Sequence, residues 1–199
     1  TKGELKKQRD SLRQFQRYLP TLQLKKQQLQ MEILQLNIFL EEKQRMGNSK
    51  ISSILAWAGL LAEPGMFSAK WLVPGNIVTA TRNVAGVDLL VFKKVDFAPA
   101  EYDLFLTPPW VDSAIEFLRE LVALREEIKI IQSSIENLKR ELRITAQRVN
   151  LFEKVKIPEA IEAIRRIKIY IGDQMANAVG RCKIAKRKIE EFDLIEVAA

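Results

Sequence analysis

Histidine is absent from the 199 residues, and cysteine occurs once, as Cys182. Without histidine the chain lacks the commonest general base and any Ser-His or Cys-His dyad. With a single cysteine as well, it has no ligand set for zinc. The lone thiol excludes an internal disulfide framework and fits a reducing compartment. No glycine-rich run ends in Gly-Lys-Ser/Thr, so no phosphate loop of that kind is present. No apolar run reaches the ~18 residues of a membrane span and no signal pattern opens the chain, so a soluble cytoplasmic protein is expected. Carboxylates or a lysine could still serve an enzyme, but none are visibly paired for it. No catalytic residue, metal ligand or cofactor is expected.

Glycine and proline are also scarce, and their placement divides the chain. Residues 4–63 contain only Pro20 among prolines and few glycines. Residues 64–110 hold Pro64, Gly65, Pro74, Gly75, Gly86, Pro99, Pro108 and Pro109, and residues 111–191 only Pro158, Gly172 and Gly180. The expectation is an N-terminal coiled-coil helix over 4–63, a small central segment over 64–110 and a C-terminal coiled-coil helix over 111–192.

What is present is apolar periodicity. Leu12, Phe15, Leu19, Leu22, Leu29, Ile33, Leu36 and Leu40 follow alternating steps of three and four, interrupted at Lys26. The register weakens over Lys43, Gly47 and Lys50 and resumes at Ile54, Trp57 and Leu61, the a/d pattern of a coiled coil. Pro20 lies off this seam and predicts a local kink rather than a stop. A helix over 4–63 would be about 90 Å long at ~1.5 Å per residue.

In the last third, Leu118, Leu121, Ile128, Ile131, Ile135, Leu138, Leu142, Val149 and Phe152 keep one seam. The phase then slips by one residue and resumes at Ile157, Ile161, Ile164, Ile171, Met175, Ala178, Cys182, Ala185, Ile189 and Phe192. The slip coincides with Pro158, which predicts a kink there, with a working hinge as the alternative. Seams this long require a partner, within the chain or in an oligomer, and the turn-rich middle favours pairing within the chain because it lets the chain reverse. The fold class expected is mainly α, a long antiparallel two-helix coiled coil from the N- and C-terminal segments with a small central region containing a β-hairpin.

The hairpin is expected at about 76–97. Ile77 to Thr81 is β-branched and polar by turns, Gly86 suits a turn position with positive φ, and Val87, Leu89, Val91, Lys93, Val95 and Phe97 share one parity. A two-stranded hairpin is marginal alone, so Trp71, Trp110, Phe97 and Phe105 are expected to pack under it.

The overall +7 charge is uneven. Arg165 to Lys188 carries +7 and Thr1 to Lys26 carries +6, so the remainder is net acidic. Paired antiparallel, the two ends form a basic tip. A solvated face, phosphate binding to nucleic acid and insertion into an acidic protein sleeve all fit that composition. Only Phe15, Tyr18 and Tyr170 interleave with the cations, which disfavours nucleic acid. A second stripe, Leu24, Met31 and Ile38 with Leu34 beside them, runs away from the seam and implies a further packing partner.

The run Gln147-Arg148-Val149-Asn150-Leu151-Phe152-Glu153-Lys154-Val155-Lys156-Ile157-Pro158 resembles the Arg-Val-Asn-x-x-Glu … Ile-Pro signature of the D subunit of V/A-type ATPases, in a bacterial form. Ile161, Ile164, Ile167 and Ile171, Asn83-Val84-Ala85-Gly86-Val87 and the Leu- and Lys-rich stretch Leu22–Leu29 are similar to the same family. The resemblance implies a non-catalytic rotor shaft of the central stalk. That shaft couples ATP hydrolysis or synthesis to proton or other ion transport. Its partners would be the catalytic A and B subunits, the F subunit and the funnel subunit, with no direct nucleic acid and no direct membrane insertion. It would sit in the cytoplasm, peripheral to the membrane. It places tip contacts to the hexamer at Arg9, Arg13, Arg181, Lys183, Lys186 and Arg187. Partner docking is expected at Leu24, Met31, Leu34 and Ile38, and hairpin contacts at Asn83, Gly86 and Val87. The alternative is a free-standing basic coiled-coil adaptor or nucleic-acid binder.

Overall fold

The computed structural model describes residues 1–62, 67–103 and 107–197, with backbone alone for Ala62 and residues 192–197. Helix α1 runs Lys2–Leu55 and is followed by a 3-10 turn, Ala58–Ala62. A second 3-10 turn, Ala69–Leu72, leads into strands β1 (Pro74–Val84) and β2 (Val87–Phe97). Helix α2 covers Trp110–Leu151, a π-helical turn spans Phe152–Lys156, and α3 covers Ile157–Val197. The protein is therefore mainly α, with one two-stranded antiparallel sheet among the described residues. Two compact units divide the chain, residues 1–24 with 146–199, and residues 25–145. Helix α1 passes through Pro20 without stopping.

In the unit 25–145, α1 and α2 pair antiparallel. The direction is fixed by Lys25 to Glu141 and Lys43 to Glu127, each 2.9 Å, and by Lys50 to Glu120. The seam register does not lapse where its apolar character does. Lys43, Gly47 and Lys50 keep the three-four spacing and are half-buried or buried with their apolar neighbours. The lysines lie at seam positions because the facing helix supplies a glutamate for each. Such pairs contribute little net stability, on the order of 0–1 kcal/mol, but they disfavour any slipped register. Gly47 is the thin point of the seam. A Cβ built there meets Leu124 Cδ2 at 3.6 Å, an ordinary contact. Gly47→Ala should therefore raise stability by ~1 kcal/mol through helix propensity, measured as a higher urea midpoint. A lower midpoint would mean that the helices pack closer here than described.

The hairpin turns over Ala85-Gly86, both with positive φ, 50° and 82°. That is the two-residue turn whose twist matches the strands. Gly86 meets the expectation for it. The left-handed alanine beside it does not follow from the sequence, since Cβ crowds the carbonyl in that conformation at a cost of ~1–2 kcal/mol. Asn83 compensates: its Oδ1 accepts the Gly86 N–H at 3.1 Å and its Nδ2 donates to Asp88 Oδ1 at 2.6 Å. The single parity expected for β2 holds at Val87, Leu89, Val95 and Phe97 and fails at Val91 and Lys93, which are exposed. The ladder pairs Val78 with Lys94 but Thr79 with Phe92, so Lys93 is a bulge residue. The extra residue lets the inward set step from Phe92 to Val95, so Val95 and Phe97 are half-buried while Lys94 and Asp96 are exposed. Phe92 turns inward, and Val91 is left exposed.

The hairpin leans on the helices chiefly through aliphatic residues. Leu29 of α1, Leu89 of β2 and Leu138 of α2 form one buried cluster, joined by Ile33, Leu36, Val84, Ala85, Val87 and Leu142. The aromatic residues expected in this role divide. Trp71 packs with Phe67 and Tyr102, at ring-centroid distances of 5.7 and 5.3 Å. Phe97 lies under the Arg119 guanidinium at 5.3 Å. Arg119 also donates to the Trp71 carbonyl at 3.1 Å and the Ala98 carbonyl at 2.6 Å, clasping both ends of the hairpin. Trp110 lines a separate cleft with Trp57 and Phe117, and Phe105 lies outside the described residues.

In the unit 1–24 with 146–199, Phe15 meets Phe152 with ring centroids 5.3 Å apart. Beyond the π turn, Ile157, Ala160, Ile164, Ile167 and Ile171 turn inward. Ala160 is 4% exposed and Ile161 51%, so the seam passes through the alanine, correcting the expected Ile161. Every side chain described from Gly172 to Glu191 is exposed. The expected seam positions Met175, Ala178, Cys182, Ala185 and Ile189 are therefore uncovered among the described residues. The side chain of Phe192 lies outside the described residues.

Candidate functional site

No group of three or more Asp, Glu, Cys or His among the described residues could hold a metal ion. No described helix is long and apolar enough to cross a membrane. The surfaces that remain are open grooves and exposed helix faces. A groove of about 380 Å³ lies in the unit 25–145, where β2 crosses the helix pair. Glu32, Leu36, Phe39, Leu90, Val91 and Ile131 are among its lining residues. Phe39, Leu90 and Val91 leave large apolar surface in water there.

Glu32 is the least expected member. Its side chain is only 10% exposed, and Arg82 of β1 reaches it at 3.2 Å. Ser134 Oγ donates to the Leu90 carbonyl at 3.2 Å on the other wall. Arg82→Ala should lower stability by ~1–3 kcal/mol, because Glu32 would stay buried without its cation. The denaturant midpoint reports it, and Glu32→Gln in the same background should recover part of the loss. An unchanged midpoint in Arg82→Ala would show that water alone satisfies Glu32.

The expected docking stripe is open. Leu24, Met31, Leu34 and Ile38 are 58, 60, 57 and 60% exposed. Leu24 ends one unit, and the other three belong to the unit 25–145. At 100° per residue, Met31, Leu34 and Ile38 lie on the α1 face next to the one carrying Glu32, Gln35 and Phe39. Stripe and groove are thus adjoining surfaces. Of the hairpin residues, Asn83 and Gly86 are spent on the turn, and Val87 packs into the buried cluster.

The six basic residues are all exposed. They do not share a level. From the Phe15–Phe152 contact, Arg9 lies ~9 Å along α1 and Arg181 ~44 Å along α3, at ~1.5 Å rise per residue. The α3 cations therefore stand well beyond Arg9 and Arg13, on a stretch with no cover among the described residues. Lys186 and Arg187 pair along the helix with Glu190 and Glu191, both at 3.6 Å. Nearer the π turn, Glu162 accepts from Arg165 and Arg166 at 2.8 and 3.1 Å. Those hydrogen bonds, Arg165 first, hold the Glu162 carboxyl down to about 2. A depressed carboxylate stabilises above its unfolded pKa, so this contribution is complete above pH ~4.5 and is lost as pH falls through about 2.

Paired heptad helices, a hairpin clasped onto them and open apolar faces define a coiled-coil scaffold that works by contact with other chains. The chain belongs to the ATP synthase D-subunit family, whose sequence model matches residues 4–187. It is 44% identical over 189 residues to the D subunit of the V-type ATP synthase of Borreliella burgdorferi, covering 95% of this chain and 93% of the relative. The corresponding V-type ATP synthase protein of Chlamydia pneumoniae is 33% identical over 192 residues, 96% of this chain and 92% of its own length. That of Chlamydia muridarum is 32% identical over 193 residues, 96% and 95%.

Proposed function

We propose that this chain is the rotor shaft in the central stalk of a V/A-type rotary ATPase, coupling ATP hydrolysis or synthesis in a catalytic hexamer to ion movement across the membrane. Family membership over nearly the whole chain carries this reading. The geometry suits it: a shaft needs stiffness, which the helix pair supplies, and a surface that turns without sticking. On α3, cations and the small residues Ala176, Ala178, Gly180 and Ala185 provide such a surface. In this reading the chain hydrolyses nothing itself. The A and B subunits contact Arg181, Lys183, Lys186 and Arg187, with Arg9 and Arg13 further along the tip.

The F subunit docks on Met31, Leu34 and Ile38 and the adjoining groove, Leu24 is a separate exposed apolar contact, and the funnel subunit is a further partner. The complex holds the chain at the cytoplasmic face of the membrane. The free-standing adaptor or nucleic-acid reading has no support from the relatives. Phe15, one of the few aromatics among the cations, is engaged by Phe152. The test is purification through a tag on this chain. Co-purification of nucleotide-binding A and B subunits supports the shaft; recovery with DNA or RNA and a steep loss of binding with salt supports the alternative.

A further inference from the structure

The π turn at Phe152–Lys156 answers a counting problem in the seam. Upstream, the inward residues Leu138, Leu142, Thr145, Val149 and Phe152 step by four and three. Downstream, Ile157, Ala160, Ile164, Ile167 and Ile171 do the same. Between Phe152 and Ile157 the step is five. An uninterrupted α-helix would carry this extra residue as a rotation of about 100° and turn the downstream isoleucines off α1. The structure absorbs it instead: the Ile157 N–H bonds to the Phe152 carbonyl, an i to i−5 bond in place of i−4. The wider turn is followed at once by Pro158, which has no N–H to donate and whose ring collides with the carbonyl four residues back in α geometry. As second residue of α3, the proline needs no such bond.

We infer that the turn stores one residue surplus to the heptad seam and that Pro158 is the positioning residue holding it there, which sets the face α3 presents from Ile157 onward. The three residues inside the turn, Glu153, Lys154 and Val155, are all exposed, so any one can be the surplus. The arrangement also orients the exposed basic stretch of α3, since its azimuth follows from the seam.

The test uses the full chain in four variants: deletion of Val155, Pro158→Ala, the two combined, and deletion of Arg140 combined with Pro158→Ala. Arg140 is exposed on α2 within the regular seam, where nothing is surplus. Deleting Val155 alone forces Pro158 into α geometry and should lower the thermal midpoint by at least ~6 °C. The combined variant should return to within ~3 °C of the parent and keep slow amide exchange across Ile164–Ile171. The Arg140 control should stay destabilised. If the combined variant is as destabilised as that control, or does not fold, no residue is stored in the turn. If deleting Val155 alone leaves the midpoint unchanged, Pro158 does not hold it.

Discussion

Leu138→Ala should lower the stability of the unit 25–145 by ~2–5 kcal/mol, a large part of the roughly 5–15 kcal/mol that holds a typical domain folded. Leu138 is fully buried and meets Leu29 from α1 and Leu89 from β2, so one side chain joins three elements. Truncation removes its transfer free energy and leaves a cavity that helices pinned by Lys25–Glu141 and Lys43–Glu127 cannot easily close. The urea midpoint should fall with little change in slope, and amide protection should drop in β2 as well as α2. Leu34→Ala, on the exposed stripe, should change stability by less than ~0.5 kcal/mol while weakening partner binding. A stable Leu138→Ala would show that the hairpin is held by its base alone.

The two helical seams are legible because steps of three and four survive in sequence as Leu and Ile. Where the seam turns polar, the apolar signal lapses, yet a complementary one is present. Lys43 and Lys50 are seven apart, and so are Glu120 and Glu127, opposite-signed heptad partners that an apolar count ignores. The one-residue slip after Phe152 is visible, but a proline explains a break in hydrogen bonding more readily than a change in residues per turn. The π turn therefore emerges only in the backbone. The bulge at Lys93 is hidden because Val91, Phe92 and Val95 allow either parity. Of the contact surfaces, the stripe can be read as surplus apolar residues on one helix. The groove beside it cannot, because it depends on the long-range pairing of Arg82 with Glu32.

Reversing the α3 cations together, as Arg181→Glu, Lys183→Glu, Lys186→Glu and Arg187→Glu, should separate folding from function. All four side chains are exposed and make at most contacts along their own helix, so each substitution should move stability by only a few tenths of a kcal/mol. Against a complementary protein surface, the same changes replace attraction with repulsion. Affinity for the A and B subunits should fall at least tenfold, ~1.4 kcal/mol. Binding by the parent should weaken as salt rises, and the variant should lose that dependence. Parent-like assembly and ATP-driven coupling in the reversed variant would place the hexamer contacts elsewhere on the chain.

The rotor claim meets its most direct test in watching the chain move. A probe fixed to exposed Glu101, in a complex reassembled with the A and B subunits, should turn in one direction while ATP is hydrolysed and stop when it is exhausted. A probe that stays still, while the same complexes hydrolyse ATP at full rate, would contradict the account.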